Sequence, residues 1–288
     1  MTDFEQKFGV TGYPQEAQAA LLSANQTLEQ SAAWRAFAKQ SLNEYQSGTL
    51  DFEQALKRTQ EIAKECAVNE KTALLLFHLL LAPALREKYQ AEHLPLTIFD
   101  DSVRDLFYKA KECYTVYGVW GSFVAPWFED FFRLKRFALG RLQFERSHLP
   151  KDCTVQGKTL AKGTPVLNLH IPSSGPLTKA LCEDSFQKAK AFFSEEGKET
   201  VFLCDSWLLF PRHREILSPE SGICQFMDLF TLIECREQPD FFDAWRVFGQ
   251  ETHPPYENLP QNTALQRGYA RWLQNGEATA TGVGVAIR

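Results

Sequence analysis

Residues 166–193 read VLNLHIPSSGPLTKALCEDSFQKAKAFF, and after a polar turn residues 200–211 read TVFLCDSWLLFP. An apolar run, a loop of small residues, a stretch with apolar residues at helical spacing and a second apolar run predict strand, loop, amphipathic helix and strand. A strand that feeds a helix through such a loop leaves backbone N–H groups unpaired and presents the positive end of the helix. That junction suits an anion, such as the pyrophosphate of a nucleotide or coenzyme. Gly175 can take φ values closed to other residues, Pro176 suits a first helical turn because it has no N–H to satisfy, and Ser173 and Ser174 add hydroxyl groups. Behind the loop Leu177, Leu181, Phe186, Ala189, Phe192 and Phe193 form a stripe that can pack on a sheet. The same pattern also makes an ordinary capped turn. No Gly-Lys-Ser/Thr follows, and the single glycine does not make a dinucleotide fingerprint.

The second apolar run carries a polar break at Asp205-Ser206. A carboxylate within an apolar strand is costly unless it is paired or faces a cavity, so Asp205 is either an acid–base candidate or a structural partner. Cys204 beside it is a nucleophile only if it escapes the inertness of buried thiols. Further on, LPQNTALQR (259–267) opens a last helix ending at Gly276, and TATGVGVAIR (279–288) reads as a strand whose glycines mark a close backbone approach. Arg267 suits either an anionic ligand or a surface ion pair.

Working outward, the first 115 residues read as helical. Ala17, Leu21, Ala24 and Leu28 recur at helical spacing; Asp51 and Asn69 are N-cap candidates; Asp101 or Ser102 begins a further helix. His78, in ALLLFHLLLAPAL (73–85), reads as a core histidine, and that run is too short for the roughly 20 residues a bilayer span needs. Pro126 starts a helix PWFEDFFRLKRFA, and the aromatic pairs Trp127-Phe128, Phe131-Phe132 and Phe241-Phe242 read as core. GRLQFERSHL (140–149) alternates as a strand, with Leu142 and Phe144 on one face and Arg141, Gln143 and Glu145 on the other. Strands then alternate with helices. The fold class is therefore α+β: a helical domain over 1–120 followed by a mixed α/β domain over 121–288.

A net charge of −5 over 288 residues argues against duplex nucleic acid as the main partner. No apolar leader is visible, and no membrane segment is expected. The 7 cysteines include no C-x-x-C pair, which argues against a disulfide framework or a zinc site and for free thiols in a cytoplasmic setting.

GRLQFE (140–145), VLNLHIPSSGPLT (166–178), FLCDSWLLFP (202–211) and LPQNTALQR (259–267), in that order, resemble a bacterial family of two-domain acyltransferases. Its members join an N-acyltransferase N-terminal helical domain to a GNAT-like C-terminal domain. The resemblance implies a mixed sheet in which two central parallel strands splay apart, here residues 166–171 and 201–210. It implies acetyl-CoA or another acyl-CoA in the gap, held by Leu169, His170 and Ile171 along the first strand and by Ser173, Ser174, Gly175, Leu177 and Thr178 at the pyrophosphate. The implied activity is acyl transfer to the amine of a small molecule or peptide. A base must first deprotonate that amine. Glu145 and His170 are the foremost candidates and Asp205 the third, though Glu145 can equally pair with Arg141 and His170 can cap the loop. The loop keeps only the central glycine of the family pattern, and no tyrosine lies between Tyr117 and Tyr256 to protonate a departing thiolate. These departures favour the rival reading, a non-catalytic acyl-CoA-binding or scaffold protein. A hydrolase using Cys204 with His170 is the third possibility.

Overall fold

The computed structural model describes residues 1–194, 197–238 and 241–288; the polar turn expected after Phe193 falls partly outside them. The chain divides into two compact units, Met1–Phe137 and Ala138–Arg288.

The first unit is helical: α1 (Asp3–Phe8), α2 (Gln15–Gln30), α3 (Ala32–Ser47), α4 (Phe52–Glu65), α5 (Glu70–Ala91), α6 (Leu96–Tyr117), a 3-10 turn (Ala125–Phe128) and α7 (Glu129–Phe132). The expected caps are in place: Asp51 accepts from the backbone of Gln54 to start α4, and Asn69 accepts from Lys71 and Thr72 to start α5. Two expectations are corrected. α6 begins at Leu96 behind Pro95, so Asp101 and Ser102 lie inside it, where Phe99 supplies a buried contact for the extra turn. The segment from Pro126 is not one helix: it breaks after Phe132, and Arg136–Leu139 is a strand with every residue buried.

α5 runs through Pro83 and forms the centre of this unit, with Leu75, Phe77, Leu79, Leu81 and Leu85 all buried. His78 sits among Phe52, Phe77, Phe128 and Phe132; its Nδ1 meets Leu74 O at 2.9 Å, and its Nε2 has no partner. The expected core histidine is thus only half satisfied. Burial lowers its pKa to about 4, partly opposed by the carbonyl bond. Among the described residues no helix is long and apolar enough to cross a membrane.

The second unit holds a six-stranded sheet in the order β1-β2-β5-β6-β8-β7. Its elements are β1 (Arg136–Leu139), where the chain passes from one unit to the other, β2 (Leu142–His148), β3 (Cys153–Val155), β4 (Lys158–Leu160), β5 (Pro165–His170), α8 (Lys179–Phe192), β6 (Val201–Ser206), a 3-10 turn (Trp207–Leu209), α9 (His213–Ile216), α10 (Gly222–Met227), β7 (Thr231–Gln238), α11 (Ala244–Phe248), α12 (Ala264–Gln274) and β8 (Thr279–Ile287). β5 lies antiparallel to β2 and parallel to β6, and β8 is antiparallel to both β6 and β7. The sheet is mixed, as expected.

α8 covers one face of the sheet, where Phe186 packs 4.5 Å from Phe202 and 6.3 Å from Phe144 between ring centroids. The buried side of α8 is Cys182, Ser185, Phe186 and Ala189; Leu181, expected in that stripe, is 42% exposed. On the other face Val166, Val201, Leu203, Val283, Val285 and Ile287 cluster with Leu149 and Val155. β8 is buried throughout. Its glycines do mark close approach: a Cβ on Gly282 would stand 2.5 Å from Leu209 O, and one on Gly284 would stand 2.8 Å from Leu209 Cδ1 and Phe230 Cβ. Phe241 is buried but Phe242 is 78% exposed, so that aromatic pair is only half core.

Candidate functional site

The parallel pairing of β5 and β6 runs from Leu167↔Phe202 to Leu169↔Cys204 and stops there. β5 continues to His170 and β6 to Ser206, so the strands part at their carboxyl ends. This is where a sheet with parallel central strands offers a ligand crevice. The second parting strand is shorter than expected, because the Ser206 hydroxyl accepts from the Leu208 N–H and turns Trp207–Leu209 into a 3-10 coil.

The loop from Pro172 to Thr178 leads from β5 into α8. Thr178 is the N-cap, its hydroxyl accepting from the Leu181 N–H at 3.4 Å. The helix therefore starts at Lys179, and Pro176 stands two residues ahead of the cap rather than in the first turn. Gly175 adopts φ +128°. Among the described residues none accepts a hydrogen bond from the backbone N–H groups of Ser173, Ser174, Gly175, Leu177, Thr178, Lys179 or Ala180. Ser173, Gly175, Thr178 and the first turn of α8 are exposed. An unpaired run of donors at the start of a 14-residue helix is an anion-binding arrangement. The loop carbonyls face the other way: Arg141, in the turn between β1 and β2, donates to Pro172 O at 2.9 Å, Gly175 O at 3.0 Å and Pro176 O at 2.8 Å. Arg141 thus serves the loop.

Pairing of β2 with β5 sets Gln143 opposite His170 and Glu145 opposite Asn168, so these four side chains share the face away from α8. His170 Nε2 lies 2.9 Å from Glu145 Oε1, and Asn168 Nδ2 donates to the same oxygen at 3.1 Å. Asn168 Nδ2 is also 3.3 Å from His170 Nε2. A carboxylate is the stronger acceptor, so Nε2 carries the proton, donates it to Glu145, and leaves the ring lone pair on Nδ1. This is an imidazole oriented by a carboxylate, with an amide steadying the carboxylate. Leu169, between them, turns its side chain to the α8 face and is buried, so it offers a ligand only its backbone.

Asp205 is placed differently. Its side chain is 45% exposed and paired with Arg236 at 2.5 Å, so it is an ion-paired surface carboxylate rather than one buried in an apolar strand. Cys204 is fully buried, and burial pushes its thiol well above the usual range. It stands in register with Leu169, which places its side chain on the α8 face, whereas His170, one residue on, points to the opposite face. A Cys204–His170 nucleophile pair is excluded. Arg267 donates to the carbonyls of Gln261 and Asn262 at 3.1 and 3.3 Å, and among the described residues it makes no ion pair.

Sequence reasoning missed a buried pair just beyond β6. His213 Nδ1 meets Leu208 O at 3.3 Å and Nε2 meets Tyr269 OH at 2.8 Å. With Nδ1 donating to the carbonyl, the Tyr269 hydroxyl donates to Nε2. Burial lowers the His213 pKa to about 4, against a smaller opposing effect of the Leu208 carbonyl, and raises that of Tyr269. The signal was weak in sequence: a histidine in the charged run Arg212–Glu215, and a tyrosine on a helix 56 residues later.

In the helical unit a groove of about 510 Å³ is lined by Tyr45, Phe52, Lys88, Phe132 and Arg133, among others. Two of its cations are engaged: Lys88 donates to Tyr45 O at 2.7 Å, and Arg133 donates to Leu50 O at 3.4 Å and pairs with Glu129 at 2.6 Å.

Comparison with known proteins agrees with this geometry. The family profile described as an N-acyltransferase N-terminal domain matches residues 5–134, and that described as a GNAT-like C-terminal domain matches residues 136–286. No curated protein matches the chain. Among solved structures, an acyltransferase mutant in complex with octanoyl-CoA aligns with a TM-score of 0.75 at 22% identity, over 99% of this chain and 86% of that one. An acyltransferase in complex with decanoyl-CoA and teicoplanin aligns with a TM-score of 0.71 at 22% identity and the same coverage. At such identity the likeness is one of fold. The two profiles together span nearly the whole sequence, and the chain belongs to the family that joins an N-acyltransferase N-terminal domain to a GNAT-like C-terminal domain.

Proposed function

We propose that the protein is an acyl-CoA-dependent N-acyltransferase acting on an amine of a small molecule or peptide. The observation that carries this reading is the run of unpaired N–H groups at the mouth of two parting parallel strands, next to a carboxylate-oriented histidine. The pyrophosphate of the coenzyme lies on the loop at Ser173, Ser174, Gly175, Leu177 and Thr178. The pantetheine arm follows the backbone of Leu169, His170 and Ile171 where β5 leaves β6. His170 Nδ1 removes the ammonium proton of the acceptor, and Glu145 stabilises the imidazolium that results. The freed lone pair attacks the thioester carbonyl, the C–S bond breaks, an amide forms, and the sulfur leaves as a thiolate that takes up a proton. Asp205, tied to Arg236, has no part in these steps. The free state of all seven cysteines fits a reducing, cytoplasmic setting. The solved acyltransferases carry octanoyl- and decanoyl-CoA, so the acyl range to test runs from acetyl to decanoyl.

One observation favours the non-catalytic rival. The Tyr269 hydroxyl is buried and donated to His213, so it cannot supply the thiolate's proton without rearrangement. Calorimetry with CoA, then thiol release across acyl-CoAs and an amine panel, separates the two readings. In the enzyme, Glu145→Gln and His170→Gln each lower kcat by about a hundredfold or more while CoA affinity stays as in the wild type. Wild-type binding without turnover makes the protein a coenzyme-binding scaffold, and no binding at all overturns both readings.

A further inference from the structure

We infer that Arg141 is the positioning residue of the loop between β5 and α8, aiming the backbone N–H groups that receive the coenzyme's diphosphate; this rests on the acyl-CoA reading above. A loop can turn its N–H groups outward only if its carbonyls find donors on the other side. Here one side chain collects three of them, those of Pro172, Gly175 and Pro176, at 2.9, 3.0 and 2.8 Å. A planar guanidinium with five N–H donors can hold three carbonyls at once, and an ammonium holds such a set far less well.

The geometry fixes which amides are aimed. The peptides of this loop are trans. In a trans peptide the N–H points opposite to the preceding carbonyl. Turning the Pro172 and Pro176 carbonyls onto Arg141 therefore turns the Ser173 and Leu177 N–H groups away from it. The Gly175 carbonyl precedes Pro176, which has no N–H, so its bond serves to hold the φ +128° turn. A cation at the carbonyl ends of these peptides also polarises them and strengthens the donors on the far side.

Arg141 is itself anchored. Its backbone N–H donates to Ser185 Oγ at 2.7 Å, and that buried hydroxyl donates to Leu181 O at 2.8 Å within α8. Gly140 before it has φ +80°, and a Cβ there would stand 2.8 Å from Ser185 Oγ. The turn between β1 and β2, the loop and the helix behind it are thereby joined through one residue. A loop with one glycine and two prolines keeps its shape by means of an arginine from outside it.

The test compares wild type with R141M and R141K, using calorimetry with CoA and with pantetheine, which lacks the diphosphate. R141M should bind CoA about tenfold or more weakly and pantetheine as the wild type does. In turnover the loss should fall on KM for acyl-CoA, with kcat retained at saturation. R141K keeps the charge and loses the fork, so it should recover only part of the affinity; it also carries the test if R141M does not fold. The Ser173 and Leu177 amide resonances should shift on CoA addition in the wild type and stay put in R141M. Full recovery in R141K would make charge alone sufficient and overturn the positioning role. Equal weakening toward CoA and pantetheine, the mark of general destabilisation, would do the same. If the wild type binds no CoA, the acyl-CoA reading itself fails; if it does and R141M matches it, only this inference fails.

Discussion

Gly175 has φ +128° and open space where a Cβ would stand, so a substitution there meets backbone strain but no neighbour. Gly175→Ala isolates that strain. Gly175→Asp adds a carboxylate beside the proposed diphosphate seat and should weaken CoA binding about tenfold beyond Gly175→Ala, measured by calorimetry. Equal affinities in the two variants would move the coenzyme elsewhere. The residues of this site were legible one by one and not as pairs. Glu145 and His170 stood out by type, yet their 2.9 Å contact depends on the register of β2 against β5, which alternation along either strand does not reveal. Asp205 looked buried because its neighbours are apolar; Arg236, two strands away across the sheet, neutralises it at the surface. Arg141 was assigned to a strand face, but the turn it occupies frees it to reach the loop.

Elements were legible where the signal is local. Asp51 and Asn69 cap their helices because a cap needs only its own first turn. Residues 136–139 misled because a strand buried on both faces shows no alternation, and residues 207–209 misled because an apolar run does not announce the hydroxyl that ends the strand before it. The glycines of β8 were read correctly as sites of close approach, and they give a test at this scale. In Gly282→Ala the new methyl group meets Leu209 O at 2.5 Å, a backbone atom that no rotamer change can move. The variant should lose about 1–3 kcal/mol in urea unfolding, by the cost typical of overpacking. A loss below a few tenths of a kcal/mol would mean that the 3-10 turn yields freely.

At the scale of the whole molecule, each unit buries one neutral histidine, His78 in the first and His213 in the second, each with its pKa lowered to about 4. Unfolded, these rings take up a proton near pH 6.5. Their neutral burial is therefore without penalty above that pH, and stability is lost as pH falls from 6.5 toward 4, by about 3 kcal/mol per ring. Urea midpoints measured across that window should drop steeply, and His78→Phe, which suits the surrounding aromatic rings, should make the helical unit's decline shallower. The strand order carries a different consequence. β8 follows the other strands of this sheet in sequence, yet it seats between β6 and β7 and bonds to both. A nascent chain stalled before residue 279 thus holds β6 and β7 apart with raw edges exposed. A premature stop codon there would leave this sheet split in two, with both halves open to proteolysis.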